Sequence, residues 1–366
     1  MPTVFFAFRD APERRAALRA PQALDRYRLF GLDEVDARGA PVRHNLERGA
    51  PQLWARTASR ALNIFLRLTG GYGGDFASVL SSLRAANDAD VVFATTDTVG
   101  IPLILLKRFG LLRTPLVYAA IGLPERLVQL RTRAMHRLYT ASFRRAGTIV
   151  AYAASEANWL RSWLGQNGPP VLFLPFGVDV KAFSPDLNRK EDVDVVSVGA
   201  DPRRDFELLV VVASRHPELR FGIVAAEDHA RTLKMLPANV TLESDLSLEQ
   251  VRDRLAAARV VALPVRRNSY SGATTVLLQA MAMAKPVVVS RTDAIAQGYG
   301  LEDGVNCRLV EPGDAEAFER ALLETLADSQ GLGSRARELV EREFSWKRYT
   351  DALWEILSVT WKPDPS

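Results

Sequence analysis

At 366 residues, with 48% apolar and 25% charged side chains, the chain has the composition of an ordinary soluble globular protein and room for two domains. No apolar run reaches the ~18 residues a membrane-spanning helix needs, and Arg9 and Asp10 interrupt the short apolar start, so no signal peptide is expected and the protein is read as cytoplasmic. The lone Cys307 excludes an internal disulfide, the four histidines are too scattered for a zinc cluster, and the net charge of +4 is uneven: residues 1–180 carry 23 Lys and Arg against 14 Asp and Glu, the remainder 24 against 29, which points to different partners for the two halves.

Thr3–Phe8 reads as a first strand, Arg9–Arg19 as a charged loop entering a helix, and Tyr27–Leu32 as a second strand. Trp54–Leu68 has helical spacing, and Asp75–Asn87 is helical again with Asp75 placed to cap it. Gly70, Gly71, Gly73 and Gly74 fall between these two helices. Phosphate-cradling loops follow a strand instead, so the glycines read as a turn, or as the border of an acceptor site. Asp90–Ala94, Pro102–Phe109 and Leu116–Ala120 then alternate strand, helix, strand, the mark of a parallel sheet. Ligands of such sheets sit beyond the carboxyl ends of the strands. Asp97, just past one such end, is therefore a candidate catalytic residue, the alternative being a helix N-cap.

Pro124–Arg145 reads as one long helix with Arg126, Arg131, Arg133, His136, Arg137, Arg144 and Arg145 interleaved with apolar residues. That composition fits an anionic membrane surface; a solvated face on a core helix is the plainer reading. Nucleic acid is disfavoured, because no recognition motif accompanies the charge. Strand Thr148–Ala153 and helix Glu156–Leu164 follow, and then Pro175, Gly177 and the polar run Ser184–Asp192 mark a domain boundary. The alternation restarts with strand Val193–Gly199, helix Phe206–Ser214, strand Arg220–Ala225, a helix near His229–Met235, strand Val240–Leu242 and helix Leu248–Ala257.

The stretch that follows concentrates the chemistry. Ala258–Leu263 is fit for a buried strand, Pro264 ends it, and a loop with Arg266, Arg267 and Gly272 leads into helix-forming Thr274–Ala284. Lys285-Pro286 stops that helix before the β-branched Val287–Val289. A loop so placed lies at a carboxyl sheet edge with a helix N-terminus facing it. The unpaired N–H groups there carry partial positive charge, and the hydroxyls of Ser271, Thr274 and Thr275 add donors, which suits an anion such as a diphosphate. An ordinary Ser/Thr N-cap is the alternative.

Several segments together resemble the retaining glycosyltransferases of GT-B fold in the large family 4. Leu174-Pro175-Phe176-Gly177-Val178-Asp179 with Phe183 is similar to that family's interdomain linker, and Val198-Gly199 with Arg203-Arg204-Asp205 to its basic diphosphate clamp. Ala280-Met281-Ala282, Lys285-Pro286-Val287 and Ser290 resemble its donor-site helix, and Asp303-Gly304-Val305-Asn306 with Val310-Glu311-Pro312-Gly313-Asp314 its last motif. The similarity runs over about residues 172–345.

The resemblance implies an α/β GT-B architecture, two Rossmann-like domains facing each other across a cleft. Residues 1–175 would form the acceptor side, with a terminal helix of about 347–366 packing back on it, and residues 176–346 would hold a nucleotide-diphospho-sugar. Arg204, at the position of the family's clamp lysine, would stabilise the departing diphosphate, with Arg203 beside it and Gly272, Thr274 and Thr275 on the helix side. Gly199, Ser271 and Gln279 would face the donor's sugar and ribose. No cofactor and no metal are expected, since the sugar nucleotide, UDP before GDP, is a substrate, and the family retains anomeric configuration by front-face attack.

The departures are specific. The family's two glutamates are Ser271 and Gln279 here, its first-domain histidine falls at Ile121, and the arginine after the clamp glycine is Ala200. The implied function is sugar transfer to a carbohydrate or lipid-linked acceptor in cell-envelope glycan or glycoconjugate synthesis. A non-catalytic sugar-nucleotide-binding partner of such an enzyme, or a nucleotide-sugar epimerase, stays open as the alternative.

Overall fold

Apolar runs with little polar alternation make strands that are buried on both faces, as in a parallel sheet covered by helices. Val91–Ala94, Leu116–Ala120, Thr148–Ala151 and Val287–Ser290 bury every residue. The computed structural model describes residues 1–361 apart from 21, 47, 48, 187, 188, 271 and 330. The chain forms two compact units: residues 1–174 together with the end of the chain from 349, and residues 175–348.

The first unit is built on β1 (Val4–Ala7), β2 (Val42–His44), β3 (Val91–Ala94), β4 (Leu116–Ala120), β5 (Thr148–Ala151) and β6 (Val171–Phe173), a parallel sheet in the order β2-β1-β3-β4-β5-β6. The second uses β7 (Val193–Gly199), β8 (Phe221–Ala225), β9 (Val240–Ser244), β10 (Ala258–Leu263), β11 (Val287–Ser290) and β12 (Arg308–Val310), again parallel, in the order β12-β11-β10-β7-β8-β9. In each sheet the first strand lies inside and later strands are laid to either side of it. The order reverses between β1 and β3 and between β7 and β10, and such switch points leave a crevice beyond the carboxyl ends of the strands.

Four stretches differ from the sequence reading. Tyr27–Leu32 is no strand: Ala23–Leu29 is a 3-10 helix and Leu32–Ala37 an α-helix, joined by Phe30 and Gly31 in the left-handed conformation, which a strand does not adopt. The helix expected at Pro102 starts five residues earlier, at Asp97, and runs to Arg108 with the proline inside it. Proline there removes the donor to Thr98 O, and the backbone N–H of Asp75 takes its place at 2.8 Å. Asp75 also accepts from Ser78 N at 3.0 Å, so one residue caps its own helix and mends the next.

The long basic helix is two helices, Leu123–Val128 and Arg133–Phe143. Between them Leu130 turns into the core, Arg131 N donates to Gly70 O at 3.0 Å, and Thr132 accepts from Met135 N to cap the second helix. Near His229 only Glu227–Ala230 is helical.

The last helix, Trp346–Trp361, begins in the second unit, where Trp346 N donates to Val178 O at 2.8 Å. From Tyr349 it belongs to the first. There Leu353 and Leu357 are fully buried, the Tyr349 and Tyr152 hydroxyls lie 3.3 Å apart, and Arg38 pairs with Asp351 beneath the Trp354 ring. Among the described residues no helix is long and apolar enough to cross a membrane.

Candidate functional site

The switch point of the second sheet is where the sequence concentrates its cations. Two loops leave it, residues 200–205 after β7 and 264–273 after β10, and backbone contacts lock them together. Asp205 N donates to Pro264 O at 3.0 Å, Arg266 N to Arg203 O at 2.8 Å, and Arg204 forms an antiparallel bridge with Val265. Val265 N in turn donates to the Ser290 hydroxyl at 2.9 Å, which ties the end of β11 to the same point.

Arg204 and Arg203 part company here. Arg203 is exposed, but Arg204 is 1% exposed, and none of its three guanidinium nitrogens has a hydrogen-bond partner among the described residues. Its ring neighbour is Phe206, with the guanidinium carbon 6.0 Å from the centroid. Burial pushes Arg204 down to about 10, against the opposing pull of Asp201. A buried unpaired cation costs several kcal/mol, on the order of the Born penalty left after relaxation. This is not a solvated loop charge but a buried cation at the switch point of the sheet.

Asp201 organises the surroundings. Its carboxylate accepts from Arg203 N at 2.7 Å and from the Tyr270 hydroxyl at 2.9 Å. A Cβ at Gly272 would stand 2.6 Å from Asp201 Oδ2, so only glycine lets the two loops close this far. Gly272 N–H is engaged by Tyr270 O at 3.0 Å. Gly272, expected at the diphosphate, makes room for Asp201 here.

The helix beyond runs Thr274–Ala282, two residues shorter than expected. Its N-cap is Ala273, with no side-chain cap, so the Ser/Thr-cap alternative is not realised among the described residues. Thr274 is buried, its hydroxyl without a partner among the described residues, and Thr275 is half-buried. Gln279 is buried on the inner face of the same helix, and Ser271 lies outside the described residues.

The first unit has a separate buried cluster. Asp97 is the first residue of its helix, not the cap, and is 2% exposed. Its Oδ1 accepts from the Tyr118 hydroxyl at 2.8 Å and its Oδ2 lies 3.3 Å from Arg126 Nε. The carboxylate expected to be catalytic is enclosed here between Tyr118 and Arg126. Burial raises it to about 6 despite Arg126 and Tyr118.

Glu156, also buried, accepts from Leu123 N at 2.9 Å, and burial followed by repulsion from Asp97 raises it to about 8. In the sequence Glu156 reads only as the start of a helix, and the pair is not legible there. Its one signal was an acid entering a helix straight after a buried strand. Among the described residues no three His, Cys, Asp or Glu side chains gather as metal ligands.

Comparison with known proteins gives the class first. The architecture is the GT-B fold: sucrose-phosphate synthase from Thermosynechococcus elongatus superposes with a TM-score of 0.74 at 18% identity, covering 98% of this chain and 99% of that one. The Anabaena protein HepE, solved with UDP-glucose, superposes with a TM-score of 0.70 at 16% identity, covering 98% and 100%.

Residues 178–328 match the family model Glycosyl transferases group 1. The MMP alpha-(1->4)-mannosyltransferase of Mycolicibacterium hassiacum is 32% identical over 189 residues, 48% of this chain and 44% of that protein. The D-inositol 3-phosphate glycosyltransferase of Geodermatophilus obscurus is 28% identical over 237 residues, 57% and 51% respectively. The chain spans about half the length of the curated relatives it matches.

Proposed function

We propose that the protein is a glycosyltransferase that takes a sugar from a nucleoside diphosphate sugar, UDP before GDP, and passes it to a carbohydrate or lipid-linked acceptor in cell-envelope glycan or glycoconjugate synthesis. The observation that carries this reading is the buried, unpartnered guanidinium of Arg204 at the switch point of the second sheet. It lies in the segment matched by the glycosyl transferase family, and HepE, of the same fold, was solved with UDP-glucose.

In this reading the diphosphate accepts from Arg204 and from the N-terminal N–H groups and Thr274 hydroxyl of the Thr274–Ala282 helix. As the bond from the anomeric carbon to the diphosphate oxygen breaks, negative charge grows on that oxygen, and fixed donors stabilise it most at that moment. The acceptor hydroxyl attacks the same face, its proton passes to the leaving diphosphate, and configuration is retained. Arg204 and the helix end supply the positive charge, so no metal is required. Asp97 is not among the reacting groups; it holds Tyr118 and Arg126 in place.

With Arg204 1% exposed, the donor reaches it only when its cover gives way. Tyr270, whose hydroxyl donates to Asp201 beside Arg204, belongs to the loop we assign to that movement. The reading as a sugar-nucleotide-binding partner without catalysis rests on Ser271 and Gln279, the neutral residues at the two positions where the family carries glutamates. Incubation with UDP-glucose, UDP-N-acetylglucosamine and GDP-mannose, followed by measurement of released nucleotide, tests the proposal. Release by wild type and none by Arg204→Met supports transfer chemistry; tight nucleotide binding with no release of any kind supports the binding partner.

A further inference from the structure

Helix Leu53–Leu68 is unusual in what it leaves uncovered. Of its sixteen residues only Ala55 and Leu66 are fully buried. Leu53 and Leu68 are 80% and 79% exposed, and Trp54, Ile64 and Phe65 are exposed between them. Leu53 and Ile64, like Trp54 and Phe65, stand eleven residues apart, about three turns, so these side chains share one face of the helix. The helix carries no Asp or Glu. Of its three arginines, Arg56, Arg60 and Arg67, the last two lie seven apart, two turns, along the edge of that apolar face.

Beside this edge is a pocket of about 680 Å³. Arg60 and Arg67 line one side and Arg131 the other, held there by its backbone bond to Gly70 O. All three are exposed, and none has an ion pair among the described residues, although Arg26, Arg28 and Arg38 of the same unit all do. The glycine loop that forms the floor is fixed from below. Asn63 accepts from Gly74 N at 3.0 Å and donates to Gly74 O at 2.9 Å, and the Tyr139 hydroxyl bonds both backbone groups of Tyr72. This is a preformed basic pocket next to an uncovered apolar face.

We propose that this face docks on an anionic bilayer, with a lipid phosphate in the pocket among Arg60, Arg67 and Arg131 and hydrocarbon against Ile64, Phe65 and Leu68. Exposed aromatic and aliphatic side chains flanked by arginine are the composition of a helix lying in a membrane interface, and three unopposed guanidinium groups supply the charge complement of a phosphate headgroup. The occupant rests on the glycosyltransferase reading only where it becomes the acceptor side of the transfer; the binding does not depend on it.

Vesicle flotation of the full chain tests this, with phosphatidylcholine alone and phosphatidylcholine mixed with phosphatidic acid. Wild type should float with the mixed vesicles and at least about tenfold less with phosphatidylcholine. Arg60→Glu with Arg67→Glu, and separately Phe65→Ser with Leu68→Ser, should each weaken flotation more than about tenfold. All four positions are exposed, and circular dichroism checks that the variants fold. Arg137→Glu with Arg145→Glu, which line a different pocket with Arg108 and Arg144, should float as wild type. Arg204→Met should too, so that failure of the donor site and failure of this surface are read separately.

Wild type that ignores the mixed vesicles, or either first pair floating unchanged, overturns the proposal. Equal loss in the Arg137/Arg145 pair also overturns it, in favour of diffuse charge. Binding of inorganic phosphate without vesicle binding would assign the pocket to a soluble phosphate instead.

Discussion

A Cβ atom at Gly199 would lie 2.1 Å from Nε of Arg204. The glycine ends β7, and its missing side chain is the space the guanidinium occupies. Alanine there forces Arg204 out of its position. We expect Gly199→Ala to weaken sugar-nucleotide binding by about 1.5–3 kcal/mol, the worth of a charge-assisted hydrogen bond, with the fold kept. Titration calorimetry with UDP checks it; undiminished affinity would show that Arg204 does not hold the phosphate from that position.

Glu156 gives a pH-dependent prediction. Its folded value, about 8, lies above the ordinary 4.5, so between those limits the folded state holds more protons than the unfolded one and stability falls as pH rises. Glu156→Gln keeps an acceptor for Leu123 N and removes the charge. The variant should melt higher than wild type at pH 8 and gain nothing at pH 4, at about 2–4 °C per kcal/mol. An equal gain at both pH values would mean that ionisation is not the cause.

Much of this arrangement is legible in the sequence where one signal decides. β4 is an unbroken apolar run, β7 and β10 are apolar apart from Asp194, Ser197 and Arg259, and the observed ends of all three coincide with those expected. Legibility fails where a partner distant in sequence decides. Pro102 sits inside a helix because Asp75 supplies the missing donor, and the break at Leu130 depends on Gly70. The same holds at the site. Arg203 and Arg204 are equivalent as letters, and only the bridge to Val265 shows which of them is buried. Asp201, Tyr270 and Ser290 act through side-chain contacts across 69 residues or 25, which no local pattern carries.

The terminal helix makes its own test. Leu353 is fully buried in the first unit although it follows the whole second unit in sequence. Leu353→Ala should cost about 2–5 kcal/mol, the range for a buried leucine. Urea unfolding followed by the near-ultraviolet signal should show the loss in the unit that holds Tyr118, Tyr139 and Tyr152. An unchanged midpoint would mean that the helix is not part of that unit's core.

Arg204 offers the most direct test of the whole account. A buried unpaired cation retained for a ligand should cost the free protein stability and reward it on binding. Thermal unfolding of wild type and Arg204→Met, each alone and with UDP, GDP, ADP and dTDP, measures both. We predict that Arg204→Met melts at or above the wild-type temperature without nucleotide, that one nucleotide raises wild type by a few degrees, and that this rise vanishes in the variant. A nucleotide that stabilises the variant as fully as wild type would contradict the assignment of Arg204 as the diphosphate clamp, and with it the site proposed for the donor.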